Sequence, residues 1–500
     1  MFSMKMKNRT CNFAVNKNGE KMGKMKTMLI MLATIGLTSA NKPETMFMVK
    51  GHVVDDSGMG IAGVVVNNGS AFVRTDWNGK WELPTDTTVS KFVSISTPAE
   101  YHLPSENGMA AGFYKPIGKA VATSDNVFRL RRRSSKAKKF SYIAISDPQI
   151  LDEAEMKMWR TETVRDLKAT AHKLGKKGEV VAMALGDLVF DNMKLFGQYA
   201  TTLHKSGMTV FQCIGNHDFN KAYPDLQNSQ KGAAHYAEQI YERYFGPVNY
   251  SFNIGDAHIV TIKNIYYKGR GRYKEYITKH DLEWLRKDLS YVRKGSLVIL
   301  NMHAPAWNSM GKKDNIDNAA ELEKVLAGYK VHVFCGHTHF FENVEVSPSL
   351  YQHNIGAACG AWWSGNVNRC GAPNGFMVVN IDGQKVSWTY KPTGGSEKYQ
   401  MRVYAPGTFA LKKNYIVANV WDWDPKCSVE WYQDGKYAGK MTQAIGSDPE
   451  FMKTRYAKDT KCRTRHLFIA KPKGEYKSLK VVFTNRFGNR FTWEGVRRRG

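Results

Sequence analysis

Residues 140–150 of the 500-residue chain read FSYIAISDPQI, an apolar strand-like run that ends in an aspartate, a proline and a glutamine. Four more apolar runs follow along the chain: EVVAMAL (179–185), MTVFQCI (208–214), SLVILNM (296–302) and VHVFC (331–335). Between the first two runs, residues 155–174 carry apolar side chains at helical spacing, and residues 278–292 show a second amphipathic pattern. Strands that alternate with helices in this way predict a layered α/β domain.

Polar residues of metal-binding type follow each of these five strands. They are Asp147 with Gln149, Asp187, Asn216-His217-Asp218, His303, and His337 with His339. Because ligands bind at the carboxyl ends of the strands in layered α/β folds, we expect these five segments to meet. Carboxylate and amide oxygens mixed with imidazoles suit first-row divalent metals. One such motif alone is an ordinary turn or a packed histidine, but five in this order predict a metal site.

The order of these motifs resembles that of the calcineurin-like metallophosphoesterases. The four motifs that are intact are Gly186-Asp187, Gly215-Asn216-His217-Asp218, His303 and Gly336-His337-Thr338-His339. The resemblance runs from Phe140 to about Lys391, and the flanking sequence resembles an exported three-domain subgroup of Bacteroides-type bacteria. It implies a four-layer αββα sandwich, flanked here by an N-terminal and a C-terminal all-β domain.

The resemblance also implies roles for individual residues at a centre of two divalent ions, of manganese, iron or zinc. The ions would be held by Asp147, position 149 and His339 at the first site, by Asn216, His303 and His337 at the second, and by Asp187 as a bridge. His217 would lie near the leaving group as a general acid, and Asp218 would orient it. Two such cations neutralise a phosphoryl group and hold a bridging hydroxide that attacks phosphorus in line.

The glutamine at position 149 departs from the pattern of this family, which usually has a histidine there. A neutral amide oxygen is a weaker and harder donor than an imidazole, so the first ion would be held less firmly, which favours manganese over iron or zinc. Some members of the family carry Asp-x-Gln, so the change does not by itself imply an inactive protein. We predict that the Gln149 amide oxygen faces the first ion, near Asp147, Asp187 and His339.

Three further residues near the motifs have two interpretations each. Trp362 and Trp363, in CGAWWSGNVNRCGAPNG (359–375), either wall a substrate pocket or belong to the core, because tryptophan is usually buried. Asp191, in GDLVFDN, either supports the site or caps a helix, and the preference of aspartate for helix N-caps favours the second.

The sequence on both sides of the α/β region is typical of β-structure. Residues 41–130 alternate apolar runs with Asp-Ser-Gly, Asn-Asn-Gly and Trp-Asn-Gly turns, which predicts a small sandwich that resembles transthyretin-like or carboxypeptidase-regulatory-like modules. Residues 131–139 form a basic linker or a solvated edge strand. The phosphoesterase-like domain then spans 140–391, and a second β domain spans 392–500.

The first 40 residues have the pattern of an export signal. Lys21, Lys24 and Lys26 precede the apolar run MLIMLATIGL (28–37), and the small residues Thr-Ser-Ala follow it. The run is too short to span a bilayer, and the sequence contains no other segment of that length. We therefore expect an exported protein, periplasmic or associated with the cell envelope, with no transmembrane segment once residues 1–40 are removed.

The chain is strongly basic, with a net charge of +27. Residues 1–40 contribute six lysines, one arginine and one glutamate, which leaves +21 for the remainder. The excess is either a solvated basic surface or a field that steers an anionic substrate or an anionic surface toward the protein. No nucleic-acid-binding motif is recognisable, so the expected partner is a phosphate ester and not a nucleic acid. The sequence does not determine the oligomeric state.

Six cysteines follow the signal segment: Cys213, Cys335, Cys359, Cys370, Cys427 and Cys462. The absence of a CxxC pair argues against a structural zinc site. Export permits disulfides, and Cys359–Cys370 and Cys427–Cys462 are the pairings we consider. Cys213 and Cys335 lie inside apolar runs and are expected to be buried thiols.

The function that follows from these features is metal-dependent hydrolysis of phosphate mono- or diesters by an exported phosphatase. The alternative is a non-catalytic envelope protein that binds polyanions through its β domains and basic surface, with a degenerate phosphoesterase domain. Four histidines at the expected positions oppose that alternative, and the glutamine at 149 supports it. A nuclease would differ from the first hypothesis only in its substrate.

Overall fold

The protein is described here by a computed structural model, which covers residues 45–223, 232–308, 310, 315–409, 413–457 and 462–496. The predicted signal segment, residues 1–40, lies outside the described residues. Residues Glu44–Gly500 form one compact unit. In the part of the chain that is described, every helix is too short or too polar to cross a membrane.

The N-terminal region forms a small sandwich of two sheets. Its elements are β1 (Met46–Asp55), β2 (Val65–Asn67), β3 (Phe72–Arg74), β4 (Lys80–Asp86), β5 (Phe92–Ser96), β6 (Ser105–Glu106), β7 (Met109–Ala110), β8 (Tyr114–Pro116), α1 (Ile117–Ala122) and β9 (Asn126–Leu130). The two sheets have the strand orders β4-β1-β9 and β3-β2-β5-β8. The alternating pattern of β4 buries Trp81 and Leu83 and exposes Glu82 between them.

The central region supplies two larger mixed sheets and most of the helices. Its strands are β10 (Lys139–Ile145), β11 (Glu179–Ala184), β12 (Thr209–Gln212), β13 (Tyr250–Ile254), β14 (Ala257–Thr261), β15 (Ile265–Gly269), β16 (Arg272–Glu275), β17 (Leu297–Asn301), β18 (Lys330–Cys335), β19 (Glu342–Ser347), β20 (Leu350–Asn354), β21 (Gly375–Asp382) and β22 (Lys385–Pro392). Its α-helices are α2 (Glu153–Met158), α3 (Arg165–Gly175), α4 (Phe196–Thr202), α5 (Gly232–Ala237), α6 (Gln239–Phe245), α7 (Lys279–Ser290) and α8 (Ala319–Leu326). The five predicted strands are β10, β11, β12, β17 and β18.

One central sheet has seven strands in the order β22-β21-β10-β11-β12-β7-β6, and the other has six in the order β13-β14-β17-β18-β20-β19. Strands β10, β11 and β12 are parallel to one another, as are β17 and β18, so their carboxyl ends lie at a common edge. The hairpin β6–β7 belongs to the N-terminal region by sequence, yet β7 pairs with β12 and extends the first sheet.

The two central sheets pack face to face and are covered by helices on their outer faces. Tyr142 of the first sheet contacts Phe334 of the second, with ring centroids 5.2 Å apart, inside one apolar cluster. Side chains of the opposite faces pack with helical residues such as Trp159 and Leu285. The predicted αββα sandwich is therefore confirmed, and β6–β7 is the addition that sequence periodicity did not indicate.

The first predicted helix contains a local widening. Helices α2 and α3 are continuous through one stretch of π-helix, Trp159–Val164. The apolar positions of the predicted helix, Met156, Trp159, Val164 and Leu167, are all at most 2% exposed. The apolar face was thus predicted correctly, whereas the extra residue per turn was not.

The C-terminal region is a second sandwich. Its strands are β23 (Met401–Tyr404), β24 (Ile416–Val420), β25 (Ser428–Gln433), β26 (Lys436–Lys440), β27 (Thr442–Gly446), β28 (Thr464–Ala470), β29 (Ser478–Thr484) and β30 (Arg490–Val496). They form sheets of order β23-β24-β28-β27 and β26-β25-β29-β30, which enclose an apolar core. The predicted β-domains on both sides of the α/β region are present.

The two disulfides that we considered do not form. Cys359, Cys370 and Cys427 are thiols in the structure. The Cys370 sulfur accepts a hydrogen bond from the Phe341 amide at 3.3 Å, and the Cys359 sulfur lies 3.7 Å from the His339 ring. Neither of the two pairings that we considered is therefore present in the structure.

Candidate active site

The five polar motifs meet at one edge of the two sheets, as predicted from their positions after the strands. The Gln149 amide donates to the Asp187 carbonyl at 2.8 Å, and the His337 amide donates to Asp147 Oδ2 at 2.9 Å. Asn216 Oδ1 lies 3.0 Å from His303 Nε2. Segments that are nearly 200 residues apart in sequence therefore touch directly, and the sheet edge brings all five together.

The backbone at this edge is strained. Twelve non-glycine residues in the described chain have a positive φ angle, and eight of them lie in or beside the site: Asp147, Gln149, Asp187, Asp191, His337, His339, Trp362 and Trp363. Such conformations cost about 1–3 kcal/mol each and persist where the surrounding structure holds them. Glycine is required beside them: a Cβ at Gly215 would meet Asp187, and one at Gly336 would meet Ser146 and Asp147. These backbone conformations direct the polar side chains toward one another.

One group of atoms that could coordinate a metal is buried and has no hydrogen-bond partner. It consists of Asp147 Oδ1, Gln149 Oε1 and His339 Nε2. The Nδ1 atom of His339 donates to the Gly360 carbonyl at 2.8 Å, which leaves the lone pair on Nε2, 3.5 Å from Asp147 Oδ1. Unpaired polar atoms in a protein interior are costly, and a bound cation would satisfy these atoms, which belong to two of the motifs that meet here.

A second group of atoms that could coordinate a metal lies beside the first. Ligand atoms of Asp187, His303 and His337 all lie within 4.8 Å of one another. The His303 Nδ1 atom donates to the Leu185 carbonyl at 2.8 Å, so Nε2 is the atom that faces the centre. His337 Nε2 is held by Glu275 Oε1 at 3.1 Å, which leaves Nδ1 facing His303 Nε2 at 3.2 Å. Fixing one ring nitrogen in this way directs the other toward a metal.

Asp187 lies between the two groups and contacts both. Its Oδ2 atom accepts from Gln149 Nε2 at 2.8 Å, and its Oδ1 atom lies 3.4 Å from His303 Nε2. Burial opposes ionisation of this carboxyl, but the His303 charge and its other histidine neighbours hold the Asp187 pKa well below its usual range. Burial likewise opposes the His303 charge, and Asp187 outweighs it and raises the pKa of His303 to about 9. The site therefore attracts positive charge to its centre.

The donor set fits divalent metal ions. Imidazole nitrogens and carboxylate or amide oxygens are the ligands that first-row divalent metals share. Asp147, Asp187, His303 and His339 are each at most 1% exposed, so their lone pairs are directed at one another and not at water. The Gln149 side chain reaches Asp187 through its amide nitrogen, and its amide oxygen is one of the unpaired atoms, so that the role of this oxygen as a ligand stays a prediction.

His217 stands at the rim of this centre, and its partner differs from the one we expected. Its side chain is 20% exposed, and its ring lies 4.0 Å from the Phe190 ring, nearly parallel to it. Its Nδ1 atom donates to Asp191 Oδ1 at 2.9 Å. The cap interpretation of Asp191 is therefore wrong: this carboxylate fixes the ring of His217.

Asp218 was expected to orient His217, and that expectation is wrong. Its Oδ1 atom accepts from the amides of Leu188 and Val189 at 2.9 and 3.3 Å, and its Oδ2 atom accepts from the Gly215 amide at 2.8 Å. The carboxylate is fully buried and ties the loop after β11 to the loop after β12. The reason is steric, because the short turn at 216–218 directs this side chain inward while the His217 ring points outward.

The two tryptophans have different surroundings. Trp362 is half-buried and packs on the His339 ring, with centroids 4.5 Å apart and planes 25° apart. Trp363 packs against the central core, and its Nε1 donates to the Pro148 carbonyl at 3.0 Å. Trp362 thus lies against a candidate metal ligand, whereas Trp363 holds the loop that carries Asp147 and Gln149.

Glu275 is the residue of this site that sequence reasoning missed. It ends β16, in the hairpin β15–β16, and follows no motif. Only the folded arrangement brings it to His337, and its pKa reflects the contact: burial would raise the pKa of Glu275, but the His337 hydrogen bond and charge lower it. A carboxylate on a hairpin of ordinary sequence gave no signal that could have identified it.

Family models match almost the whole described chain. The model for calcineurin-like phosphoesterase matches residues 140–341, the model for the N terminal of calcineurin-like phosphoesterase matches 47–133, and the model for the C terminal matches 352–491. The chain belongs to the calcineurin-like phosphoesterases. Its reaction is therefore the metal-dependent hydrolysis of phosphate esters, and the clusters around Asp187 lie in the catalytic portion of this phosphoesterase.

Several solved structures are similar to this phosphoesterase over parts of its length. A dimetal phosphatase from Danio rerio is 14% identical with a TM-score of 0.34, and the match covers 51% of this chain and 96% of that one. Purple acid phosphatase PPD1 from yellow lupin seeds is 12% identical with a TM-score of 0.38 (70% and 67% covered). A 5'-nucleotidase from Candida albicans is 11% identical with a TM-score of 0.33, and the match covers 54% of each chain. No curated protein matches the sequence.

Proposed function

We propose that this phosphoesterase is an exported phosphatase that hydrolyses phosphate mono- or diesters with a dinuclear metal centre. The observation that supports the proposal is a pair of clusters of possible ligand atoms, which Asp187 links through its hydrogen bond with Gln149. One cluster consists of buried atoms that lack any hydrogen-bond partner, and the other consists of atoms within 4.8 Å of one another. A single ion would leave one of the two clusters without a positive charge at its centre.

The residues that would hold the two ions follow from which atoms face the centre. Asp147, Gln149 and His339 would hold the first, and Asn216, His303 and His337 would hold the second, with Asp187 between them. When bound, two divalent ions neutralise a phosphoryl group and supply a hydroxide near neutral pH. Gly360, Leu185 and Glu275 each fix the ring of one ligand histidine, so that the site is formed before a substrate arrives.

The protein itself supplies the proton that a leaving alkoxide requires. Because Asp191 accepts the Nδ1–H of His217, the opposite nitrogen, Nε2, is available to deliver a proton to the leaving oxygen. The Lys221 ammonium also pairs with this carboxylate, at 3.5 Å from Asp191 Oδ1. Phe190 packs on the ring and keeps its orientation fixed.

Export is supported by the pattern of residues 21–40, and an anionic substrate is supported by the net charge of +21 that remains without residues 1–40. A basic surface raises the local concentration of anionic substrates and speeds their association, at a rate that falls as salt is added. We place the protein in the periplasm or at the cell envelope on the first of these grounds.

The test of the proposed function is hydrolysis of a chromogenic phosphate monoester and diester by metal-loaded protein, compared with Asp187→Asn. We expect the substitution to lower kcat/KM by at least about a hundredfold, since it removes a charged ligand that both ions share. Asp382→Asn is the matched control, because Asp382 is a mostly exposed carboxylate that pairs with Lys139 away from the site. Full activity in Asp187→Asn, or no hydrolysis by metal-loaded wild-type protein, would rule the proposal out.

A further inference from the structure

The C-terminal sandwich reaches the candidate metal centre through a stack of aromatic rings. A turn at Phe451–Lys453 leads into Arg455 and Tyr456. The Tyr456 ring lies 4.6 Å from the Trp362 ring, and the Trp362 ring lies 4.5 Å from the ring of His339. A residue of the C-terminal region is therefore separated from a candidate metal ligand by one side chain.

The middle ring of this stack is held rigidly. Trp362 and Trp363 have φ angles of 49° and 56°, a conformation that bulky residues rarely adopt and that two consecutive residues adopt here. The Trp363 Nε1 atom bonds to the Pro148 carbonyl, which anchors the pair to the loop that carries Asp147. Trp362, which packs between Tyr456 and His339, is thus held by the backbone and by the anchored side chain of Trp363.

Arg455 lies on the outer end of the stack and is exposed to solvent. Its guanidinium carbon lies 5.0 Å from the centre of the Tyr456 ring, and its Nη2 atom donates a long hydrogen bond of 3.5 Å to the Trp362 carbonyl. A guanidinium stacked on an aromatic ring keeps its planar set of donors oriented, which suits two-point binding of a carboxylate or phosphate.

Two other arginines of the C-terminal region form ion pairs with carboxylates. Arg486 pairs with Glu345 and Asp424, and Arg402 pairs with Asp448. Within the described residues, no carboxylate lies at ion-pair distance from Arg455. Glu155 is near enough for the Arg455 charge to lower its pKa, so that charge is partly compensated, but the Arg455 guanidinium forms no ion pair with a described carboxylate.

We propose that Arg455 is a specificity-determining residue, which binds a second anionic group of a substrate whose scissile phosphoryl group lies at the metal centre. The inference rests on the proposed function and extends it to a substrate class: phosphate esters that carry a further carboxylate or phosphate. The C-terminal region is then part of the substrate site and selects among esters, while the chemistry stays with the central domain.

The test is a calorimetric measurement of binding by the metal-loaded full chain. The probes are phenylphosphonate and its 3- and 4-carboxy derivatives, which are stable to hydrolysis and differ only by the second anion. We expect wild-type protein to bind at least one carboxy derivative about tenfold or more tightly than phenylphosphonate, as a charged hydrogen bond contributes. Arg455→Gln should abolish this preference and leave the phenylphosphonate Kd within about twofold of the wild-type value.

The control is Arg463→Gln, because Arg463 is an exposed arginine of the same region that also makes one long hydrogen bond, to the Ile445 carbonyl. It should keep the wild-type preference. The inference is overturned if wild-type protein shows no preference, if Arg455→Gln retains it, or if Arg455→Gln weakens all three probes equally, which would indicate a purely structural role. Since binding needs no turnover, a protein that shows the preference but hydrolyses no ester would refute the proposed function and leave the role of Arg455 intact.

Discussion

At the scale of single residues, we propose that Gln149 determines how firmly the first of two ions would be held. The sequence predicted its location, and the structure shows its amide nitrogen on Asp187 and its buried oxygen without a partner. This arrangement satisfies one end of the amide and leaves the other end for a cation. A histidine in its place would offer a stronger donor but would give up the hydrogen bond that positions Asp187.

The first prediction concerns Gln149→His, compared with Gln149→Leu. The imidazole should raise the affinity for the more weakly held ion, and leucine should lower it, because leucine offers no lone pair. Calorimetric titration of manganese into chelator-treated protein measures both. An unchanged affinity in Gln149→His and Gln149→Leu would mean that the amide oxygen does not face the first ion.

A second prediction separates Asp191 from Asp218, two carboxylates close to His217. Asp191→Asn removes the carboxylate that accepts from His217 Nδ1 and fixes its ring, so kcat should fall for esters with a poor leaving group and change little for esters with a good one. Asp218→Asn should instead lower stability by about 1–3 kcal/mol, because one of its oxygens becomes a donor that faces backbone N–H groups.

The measurements are a leaving-group series for kcat and thermal unfolding of both variants. The assignment is contradicted if Asp191→Asn has the same effect on good and poor leaving groups, or if Asp218→Asn unfolds like the wild type. The sequence could not distinguish the two residues, because Asp218 belongs to a motif and Asp191 does not. The contact with His217 depends on how two loops pack, and this packing cannot be inferred from the spacing of residues along the sequence.

At the scale of elements, the sequence predicted the strands and helices whose buried residues recur periodically and the site residues that follow strands directly. The five strands and two helices were found because buried faces repeat along them, and the site was found because its residues follow those strands. Elements that depend on distant pairing were not found. The hairpin β6–β7 has two residues per strand and joins β12 about 100 residues later, so it carries no periodic signal.

The N-terminal and central regions are joined by a buried group of charges. Lys91, which precedes β5, contacts Glu238 at 2.5 Å and Glu242 at 2.9 Å, and Lys263 contacts Glu238 at 2.8 Å. Burial would raise the pKa of Glu238, but the charges of Lys263 and Lys91 lower it to about 2. Burial raises the pKa of Glu242 to about 7, and the Glu238 charge adds to the effect.

The third prediction follows from the signs of these two shifts. A carboxyl whose folded pKa exceeds its ordinary value of 4.5 binds its proton more tightly in the folded state, so Glu242 costs stability as pH rises from 4.5 to about 7. Glu242→Gln should therefore gain stability relative to wild type between pH 5 and pH 8. The free energy of unfolding of Glu238→Gln should be lower than that of wild type by about 3–5 kcal/mol at both pH values, because the substitution removes a carboxylate that pairs with two lysines.

Chemical denaturation at pH 5 and pH 8 measures the free energy of unfolding of all three proteins. The stabilising contribution of Glu238 is fully present above 4.5 and is lost only as pH falls toward 2, so it is constant over this range. A Glu238→Gln variant as stable as wild type, or a Glu242→Gln variant whose relative stability is the same at both pH values, would contradict the account.

At the scale of the whole molecule, the N-terminal and C-terminal regions both contact the central domain, which carries the candidate site. The central domain supplies the ligands, the N-terminal region extends its first sheet, and the C-terminal region packs a tyrosine and an arginine beside His339. The sequence predicted three regions from their composition, but it could not show that the third one borders the metal centre. That contact joins residues nearly 100 positions apart through side chains that belong to no motif.

The central claim is that two ions at this site carry out phosphate-ester hydrolysis. The most direct test removes metal with a chelator, returns manganese in measured amounts, and follows bound metal and hydrolysis of a chromogenic ester in the same samples. We predict no hydrolysis in the metal-free protein and activity that saturates at about two ions per chain. Hydrolysis that survives complete metal removal would contradict the claim, as would a chain that binds the ions and polyanions but hydrolyses nothing.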